Sequence, residues 1–332
     1  MRLPNARESA IHATVRTSGF EPLRLKLLAH LDCEVWRIVA RGADGREQAL
    51  SLRIYPERKG ERAAIEAEVH WLRAAAEDGL HVPRPLPDAA GRFVRAWRPD
   101  PARPMRHAVL LTWLEGRMLD QGLTRGKLHQ VGVLAARLHA VAASLVRSGG
   151  IATDRRAPQP AFDAWIAHAY PGAQALAPRL RELAGATALR LRDELAALPR
   201  DAASWGFIHA DLHPWNLLFA RSAAGAIDFS ECGWGHVAFE FASTLQWLRH
   251  PLAGNHDHGA GYPRLKYALL DGYASVAALP DEVERQVDLF ILARLLLTLE
   301  WMVDDWPSLD HRPWGPGFLA ACEGLFETAA SA

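Results

Sequence analysis

The chain has 332 residues, 49% apolar and 23% charged, which is enough to bury a sizeable core and suggests roughly two domains or lobes. Its 38 basic and 38 acidic residues cancel, so a nucleic-acid binder driven by bulk charge is excluded. Cys33, Cys232 and Cys322 are odd in number and form no C-x-x-C pair, which argues against a disulfide framework or a zinc ribbon and for free thiols in a reducing compartment.

Residues 1–20 lack clear periodicity and contain no apolar segment of signal-peptide type, so they read as a loose or partly docked arm. A strand is expected around Leu25–Ala29. The β-type runs Val35–Ala40 and Glu47–Tyr55 flank the turn-rich Gly42–Gly45 and read as a hairpin that ends at Pro56. Over Glu61–Glu77 the apolar Ile65, Val69, Leu72 and Ala76 share one helical face, and Gly79 supplies a stop. Proline-rich Val82–Arg92 reads as a loop. His107–Leu114 reads as a buried strand, broken by Glu115 and Gly116. Beyond Gly116 the texture is helical, with helices expected over Lys127–Leu145, Leu180–Leu198 and Pro280–Trp301. The longest greasy stretch, Val287–Leu299, is broken by Arg294, and no apolar run reaches the ~18 residues of a membrane span. The expectation is a cytoplasmic protein with no membrane or nucleic-acid partner.

A β-like patch, Trp205–Gly235, interrupts the helical part and carries the chemistry. It contains His209-Ala210-Asp211-Leu212-His213-Pro214-Trp215-Asn216, of the form H-x-D-L-x-x-x-N, and then Asp228-Phe229-Ser230 in the place of D-F-G. Phosphoryl transfer needs these residue types. Its transition state is loose, so catalysis is mostly positioning and charge stabilisation. Asp211 can orient a hydroxyl nucleophile and accept its proton. Magnesium takes hard oxygen ligands, and Asn216 offers a carbonyl oxygen and Asp228 a carboxylate. A hairpin built from Leu217–Phe219 and Gly225–Asp228, turning at Ser222–Ala224, would return Asp228 to the same place.

HADLHPWNLLF followed by IDF resembles the aminoglycoside phosphotransferase and choline kinase family, with some likeness to bacterial stress-response kinase A. The resemblance covers roughly residues 25–250. It implies an α+β, bilobal protein-kinase-like fold: a small β-rich nucleotide-binding lobe over residues 1–113 and a larger, mainly helical catalytic and acceptor-binding lobe over 114–332. It implies ATP and Mg2+ as cofactors. ALSLRIYP is similar to the family's third strand, which makes Arg53 the phosphate-binding base, and the Ile65–Leu72 helix is similar to the αC helix, which makes Glu68 its partner. A solvated surface pair is the alternative for these two. VLLTWLEGR resembles the hinge, where backbone groups near Trp113 and Leu114 would take the adenine edge. His139 in AARLHA takes a structural position, and Glu240 in FEFA an anchoring one. His209 joins Asp211 as a catalytic residue, with Asn216 and Asp228 as metal ligands.

The pattern departs from the family in places. Ala29–Glu34, in the place of the phosphate loop, has no glycine. Ala210 replaces the Arg of H-R-D, and no A-P-E follows, so no activation-loop switch is expected. The activity implied is ATP- and Mg-dependent transfer of the γ-phosphoryl group to the hydroxyl of a small molecule of amino alcohol, sugar or aminoglycoside type. A protein Ser/Thr kinase and a non-catalytic nucleotide-binding scaffold are the alternatives.

Other segments have competing readings. His256-Asp257-His258 looks like a metal motif but lies in a Gly-rich loop and reads as solvated. Glu300, Trp301, Asp304, Asp305, Trp306 and Asp310 would suit a cationic substrate or form a helix end and acidic turn. His213 would orient substrate or pack. Trp205, Trp215 and Trp247 read as core, and Cys33 would react only if His30 lowered its pKa.

Overall fold

The computed structural model describes residues 6–30, 33–56, 61–119, 122–220, 223–249, 261–305 and 315–331. Contacts divide the chain into two units, residues 1–116 with 141–153, and residues 117–140 with 154–332.

The first unit comprises α1 (Ala6–Arg16), β1 (Glu21–His30), β2 (Glu34–Arg41), β3 (Glu47–Ile54), α2 (Arg62–Glu77), β4 (Pro85–Leu86), β5 (Val94–Trp97) and β6 (Arg106–Thr112). Its antiparallel sheet runs β1-β2-β3-β6-β4, and β5 also pairs with β6. Side chains alternate across a strand. Ile38, Ala40, Leu50, Leu52, Ile54, Ala108 and Leu110 therefore share one face, where they form a fully buried core with Ile11 and Val15 of α1. Val35, Arg37, Ser51, Arg53 and Val109 fall on the other face, with Arg53 in register between Val35 and Val109. The hairpin between β2 and β3 turns at Gly45, whose φ of 78° only glycine adopts without strain.

The N-terminal arm is thus a docked helix. Its apolar stripe is only Ile11 and Val15 wide, too narrow to register as a period. Arg7 ties it down by meeting the buried carboxylate of Glu34 at 3.0 Å. The Pro-rich stretch does contain the two-residue β4, and β5 follows it unforeseen.

The second unit begins in α3 (Arg125–Arg147), whose residues from Val141 group with the first unit. It continues with α4 (Phe162–Ile166), α5 (Pro178–Ala196), β7 (Trp205–Ile208), β8 (Leu217–Ala220), β9 (Ala223–Ala226), β10 (Gly233–His236), α6 (Val237–Leu245), α7 (Tyr262–Ala274), α8 (Val283–Asp305) and α9 (Gly315–Ala330). Two small ribbons, β7 with β10 and β8 with β9, carry the motif residues, and α6 and α8 pack against each other. By length and composition α3 would cross a membrane, but it buries Leu128, Val131, Leu134, Ala135 and Leu138 inside the protein. All three cysteines are buried, and no disulfide joins them among the described residues.

Helices α3 and α7 cross at paired glycines. A Cβ on Gly132 would lie 2.0 Å from the Leu269 carbonyl oxygen, and one on Gly272 would lie 2.0 Å from that of His129. Both obstacles are backbone and cannot swing aside. Gly272→Ala should therefore cost about 3 kcal/mol or more in urea unfolding. Gly324→Ala, on α9 with open space around it, should be neutral or stabilising by up to about 1 kcal/mol. Equal midpoints for the two variants would refute the close crossing.

Candidate active site

After β7 the chain enters the loop His209–His213 with Ala210 at φ 66°, a left-handed conformation that alanine adopts only under strain. Glu240, in the first turn of α6 and 1% exposed, holds it there. Its Oε2 accepts the N–H groups of His209 at 2.7 Å and Ala210 at 3.2 Å, and His139 Nε2 approaches to 3.4 Å. Burial pushes the Glu240 carboxyl up, but His139, His209 and the Ala210 N–H outweigh it and hold the group below the usual carboxylate value. The loop carbonyls are held too. Ser243 Oγ donates to Ala210 O at 3.0 Å, and Thr244 Oγ1 donates to Leu212 O at 2.6 Å.

The loop presents Asp211. Arg294 of α8 donates from Nη2 to Asp211 Oδ1 at 2.8 Å and from Nη1 to Ala210 O at 3.3 Å. Asn216 Nδ2 donates to Asp211 Oδ2 at 3.0 Å and to Asp211 O at 2.9 Å, and His213 Nε2 lies 3.4 Å from the same Oδ2. Burial pushes the Asp211 carboxyl up, yet His213, Arg294 and His209 together hold it well below the usual carboxylate range. With its amide nitrogen committed to Asp211, the Asn216 side chain turns its carbonyl oxygen the other way.

The β8–β9 hairpin brings Asp228 back beside this loop. Ile227 N donates to Asn216 O at 3.0 Å. Asp228 itself is left-handed, at φ 62°, so β9 ends at Ala226, two residues short of the expected strand. Ser230 Oγ donates to Asp228 Oδ1 at 2.7 Å. His209 joins the two halves. Its Nδ1 accepts the Asp211 N–H at 3.2 Å, which leaves Nε2 to donate to Ile227 O at 3.0 Å. Burial lowers its pKa against the charges of Glu240, Asp211 and Asp228, as suits a neutral ring. With both nitrogens engaged by backbone, His209 is placed to position the loop rather than to move protons.

The remaining predicted site residues lie in the first unit. Arg53 of β3 is 6% exposed and Glu68 of α2 1% exposed, so the pair is buried and not a solvated surface contact. Arg53 Nη1 is 3.8 Å from Glu68 Oε1, which also accepts the Tyr55 hydroxyl at 2.7 Å. Trp113 and Leu114 follow β6 and are half-buried. Trp113 N donates to Ala49 O at 3.2 Å, and Arg37 lies over the indole at 5.1 Å. A cavity of about 470 Å³ adjoins Trp113, lined by Arg37, Val39, Ala49, Thr112 and Glu115 among others.

Ser243, Thr244 and Arg294 hold the loop without forming part of any motif in the sequence. For Arg294 a signal existed, since it is the charge that breaks the most apolar run of the chain. Trp215 is 41% exposed and so is not core; it packs edge-on against Trp247, with centroids 4.6 Å apart, beside His213. The acidic stretch of α8 serves structure. Glu300 Oε1 accepts Trp165 Nε1 at 2.8 Å and Ala161 N at 2.7 Å, and Asp304 accepts the Tyr170 hydroxyl at 2.9 Å. His30 Nε2 turns to Glu34 at 3.8 Å, and Cys33 is buried. The His256-Asp257-His258 motif, Trp306, Asp310, Ser222 and residues 31–32 of the phosphate-loop segment lie outside the described residues, as does the Asp305 side chain.

The profile of the phosphotransferase enzyme family matches residues 34–279. No match was found among curated proteins. Among solved structures, an amicoumacin kinase in complex with AMP-PNP and Ca2+ is 18% identical with a TM-score of 0.76, over 98% of this chain and 95% of that one. A microcompartment-associated aminopropanol kinase is 23% identical with a TM-score of 0.71, over 92% and 91%. A choline/ethanolamine kinase family protein from Mesorhizobium loti is 18% identical with a TM-score of 0.57, over 93% and 90%. These likenesses show the protein-kinase-like α+β fold.

Two outcomes follow from this geometry. Glu240→Ala leaves two buried N–H groups without their acceptor and should cost about 3 kcal/mol in denaturant unfolding, with Glu240→Gln much milder. An unchanged midpoint for the alanine variant would remove Glu240 as the anchor. The second outcome concerns His236, packed against Trp205 and Phe290 with centroids 4.8 and 5.4 Å away. Burial and the Arg200 charge lower its pKa to about 4. The unfolded chain takes up a proton near pH 6.5 that the fold refuses until about pH 4, so stability should fall as pH drops through that window. His236→Asn should flatten this slope when unfolding free energy is measured against pH.

Proposed function

The chain belongs to the phosphotransferase enzyme family, and from that premise we propose that it transfers the γ-phosphoryl group of ATP to a hydroxyl of a small molecule, with Mg2+, in the cytoplasm. One observation carries the reading. Asn216 bonds Asp211 through Nδ2 at 3.0 Å and Ile227 through its backbone oxygen at 3.0 Å, so the Asp211, Asn216 and Asp228 side chains arise from one hydrogen-bonded loop and hairpin.

The donor chemistry fits a hard cation. Asn216 offers a carbonyl oxygen and Asp228 a carboxylate. No cluster of three or more His, Cys, Asp or Glu residues suited to a metal occurs among the described residues. So few protein ligands match an ion that takes the rest from phosphate oxygens and water, as Mg2+ does. When bound, Mg2+ supplies neutralisation of the charge on the phosphate oxygens. The other roles belong to this chain. Arg53 would bind phosphate oxygens, oriented by Glu68, and Arg is well shaped for that. Backbone groups at Trp113 and Leu114 would take the edge of the base. Asp211 would orient the acceptor hydroxyl and receive its proton. A loose transition state lets the proton leave late, once the new oxygen–phosphorus bond is forming.

The names of the solved relatives support a small-molecule acceptor. Amicoumacin, aminopropanol and choline or ethanolamine appear in their names, which supports an amino alcohol or an antibiotic within the wider class of amino alcohol, sugar or aminoglycoside. The test is ADP release from ATP and Mg2+ over a panel of such hydroxyl compounds. Asp211→Asn should lower kcat by about 10² to 10⁴ while ATP–Mg2+ still raises the melting temperature, and EDTA should abolish turnover. Nucleotide binding with no turnover on any acceptor would replace this reading with a binding scaffold.

A further inference from the structure

Arg294 has no part in the chemistry described so far, yet its position demands an explanation. It sits among leucines on α8 with a side chain only 10% exposed. Burying a guanidinium costs several kcal/mol unless it is well paired, and an apolar residue at the same place is often as stable or more so. Stability alone therefore gives little reason for an arginine between Ile291, Leu295 and Thr298.

Its contacts supply the reason. Both outer nitrogens point at the catalytic loop, one at Asp211 Oδ1 and the other at Ala210 O. The guanidinium lies over the Phe239 ring at 5.5 Å, which fixes its plane. Its Nε is buried and meets no hydrogen-bond acceptor among the described residues, so the side chain gives up one bond to place the other two. Asp211 is then held at both ends, with Oδ1 on Arg294 and Oδ2 on Asn216. A carboxylate gripped by both oxygens cannot rotate about its terminal torsion, and its remaining lone pairs point in fixed directions.

We propose that Arg294 is a positioning residue for phosphoryl transfer: it locks the plane of the Asp211 carboxylate so that a lone pair meets the acceptor O–H. The inference rests on the reading that Asp211 receives the acceptor proton. In that step the acceptor oxygen bonds to the γ-phosphorus and its proton passes to Asp211. The bond from phosphorus to the β–γ bridging oxygen breaks with its electron pair staying on ADP, and Asp211 later returns the proton to solvent. Arg294 touches none of the reacting atoms. It acts through orientation, where small misplacements have large effects on rate.

The experiment compares Arg294→Gln and Arg294→Lys, each alone and combined with Asp211→Asn, by steady-state ATP turnover and thermal unfolding. Arg294→Gln should lower kcat at least tenfold with the KM for ATP within twofold of wild type. Arg294→Lys, which keeps the charge but not the two-pronged grip, should recover part of the loss. In the Asp211→Asn background, Arg294→Gln should lower kcat less than twofold further, because no carboxylate remains to be aligned. Unchanged kcat in the Arg294 variants would overturn the inference, as would an equal loss in both backgrounds or a loss confined to the KM for ATP. Should Arg294→Gln fail to fold, Arg294→Lys decides alone, since a folded lysine variant with wild-type kcat overturns it. Absence of ATP turnover in the wild-type protein with any acceptor, water included, would instead overturn the functional reading beneath it.

Discussion

The carboxylate of Glu240 lies beneath the His209–His213 loop and accepts the backbone N–H groups of His209 and Ala210. Alanine in the left-handed region is strained by an amount on the order of 1 kcal/mol or more, and isolated loops do not keep it. Here a buried anion makes the strained form the one in which two donors are satisfied together. The position of Asp211 follows from that turn, the grip of Asn216 follows from Asp211, and the register of the β8–β9 hairpin follows from Asn216. His139 and the first turn of α6 then stabilise the anion itself, from a side chain on one side and a helix N-terminus on the other.

The two units solve a similar electrostatic problem in different ways. In the first, Glu68 Oε1 takes its short contact from the Tyr55 hydroxyl at 2.7 Å and stands 3.8 Å from Arg53 Nη1. In the second, Arg294 meets Asp211 at 2.8 Å and spends itself on the partner. In both, the charges are out of water, where their interaction is stronger and its loss more costly.

Much of this was legible in the sequence for a physical reason. Asp211, Asn216 and Asp228 fall within one short segment, so their spacing alone encodes a loop and a returning hairpin. Strands β2, β3 and β6 and helices α2, α3 and α5 are long enough for their periods to show. What escaped is either short or distant. α1 presents two buried side chains, β4 has two residues, and β5 follows a run of prolines that reads as loop. Arg294 lies 83 residues from its partner, and only a tertiary contact gives it meaning. Trp215 read as core because tryptophan is usually buried, but the 3-10 turn Pro214–Asn216 points it outward.

The same arginine has a consequence for how the chain finds its fold. Helix α8 buries Val287, Phe290, Ile291, Leu295, Leu296, Leu299 and Met302, which surround it almost completely with apolar side chains. A cylinder that is greasy on every side has little to stop it from sliding or rolling among its neighbours, because one leucine replaces another at small cost. Polar groups end that freedom: Arg294 meets Asp211, Glu300 meets Trp165 and Asp304 meets Tyr170. Rolled by one residue, α8 would press a leucine against the Asp211 carboxylate and leave a guanidinium facing hydrocarbon, a state several kcal/mol uphill. Together with those contacts, Arg294 selects one docking of the helix from many near-equivalent ones, as a key excludes every slot but its own.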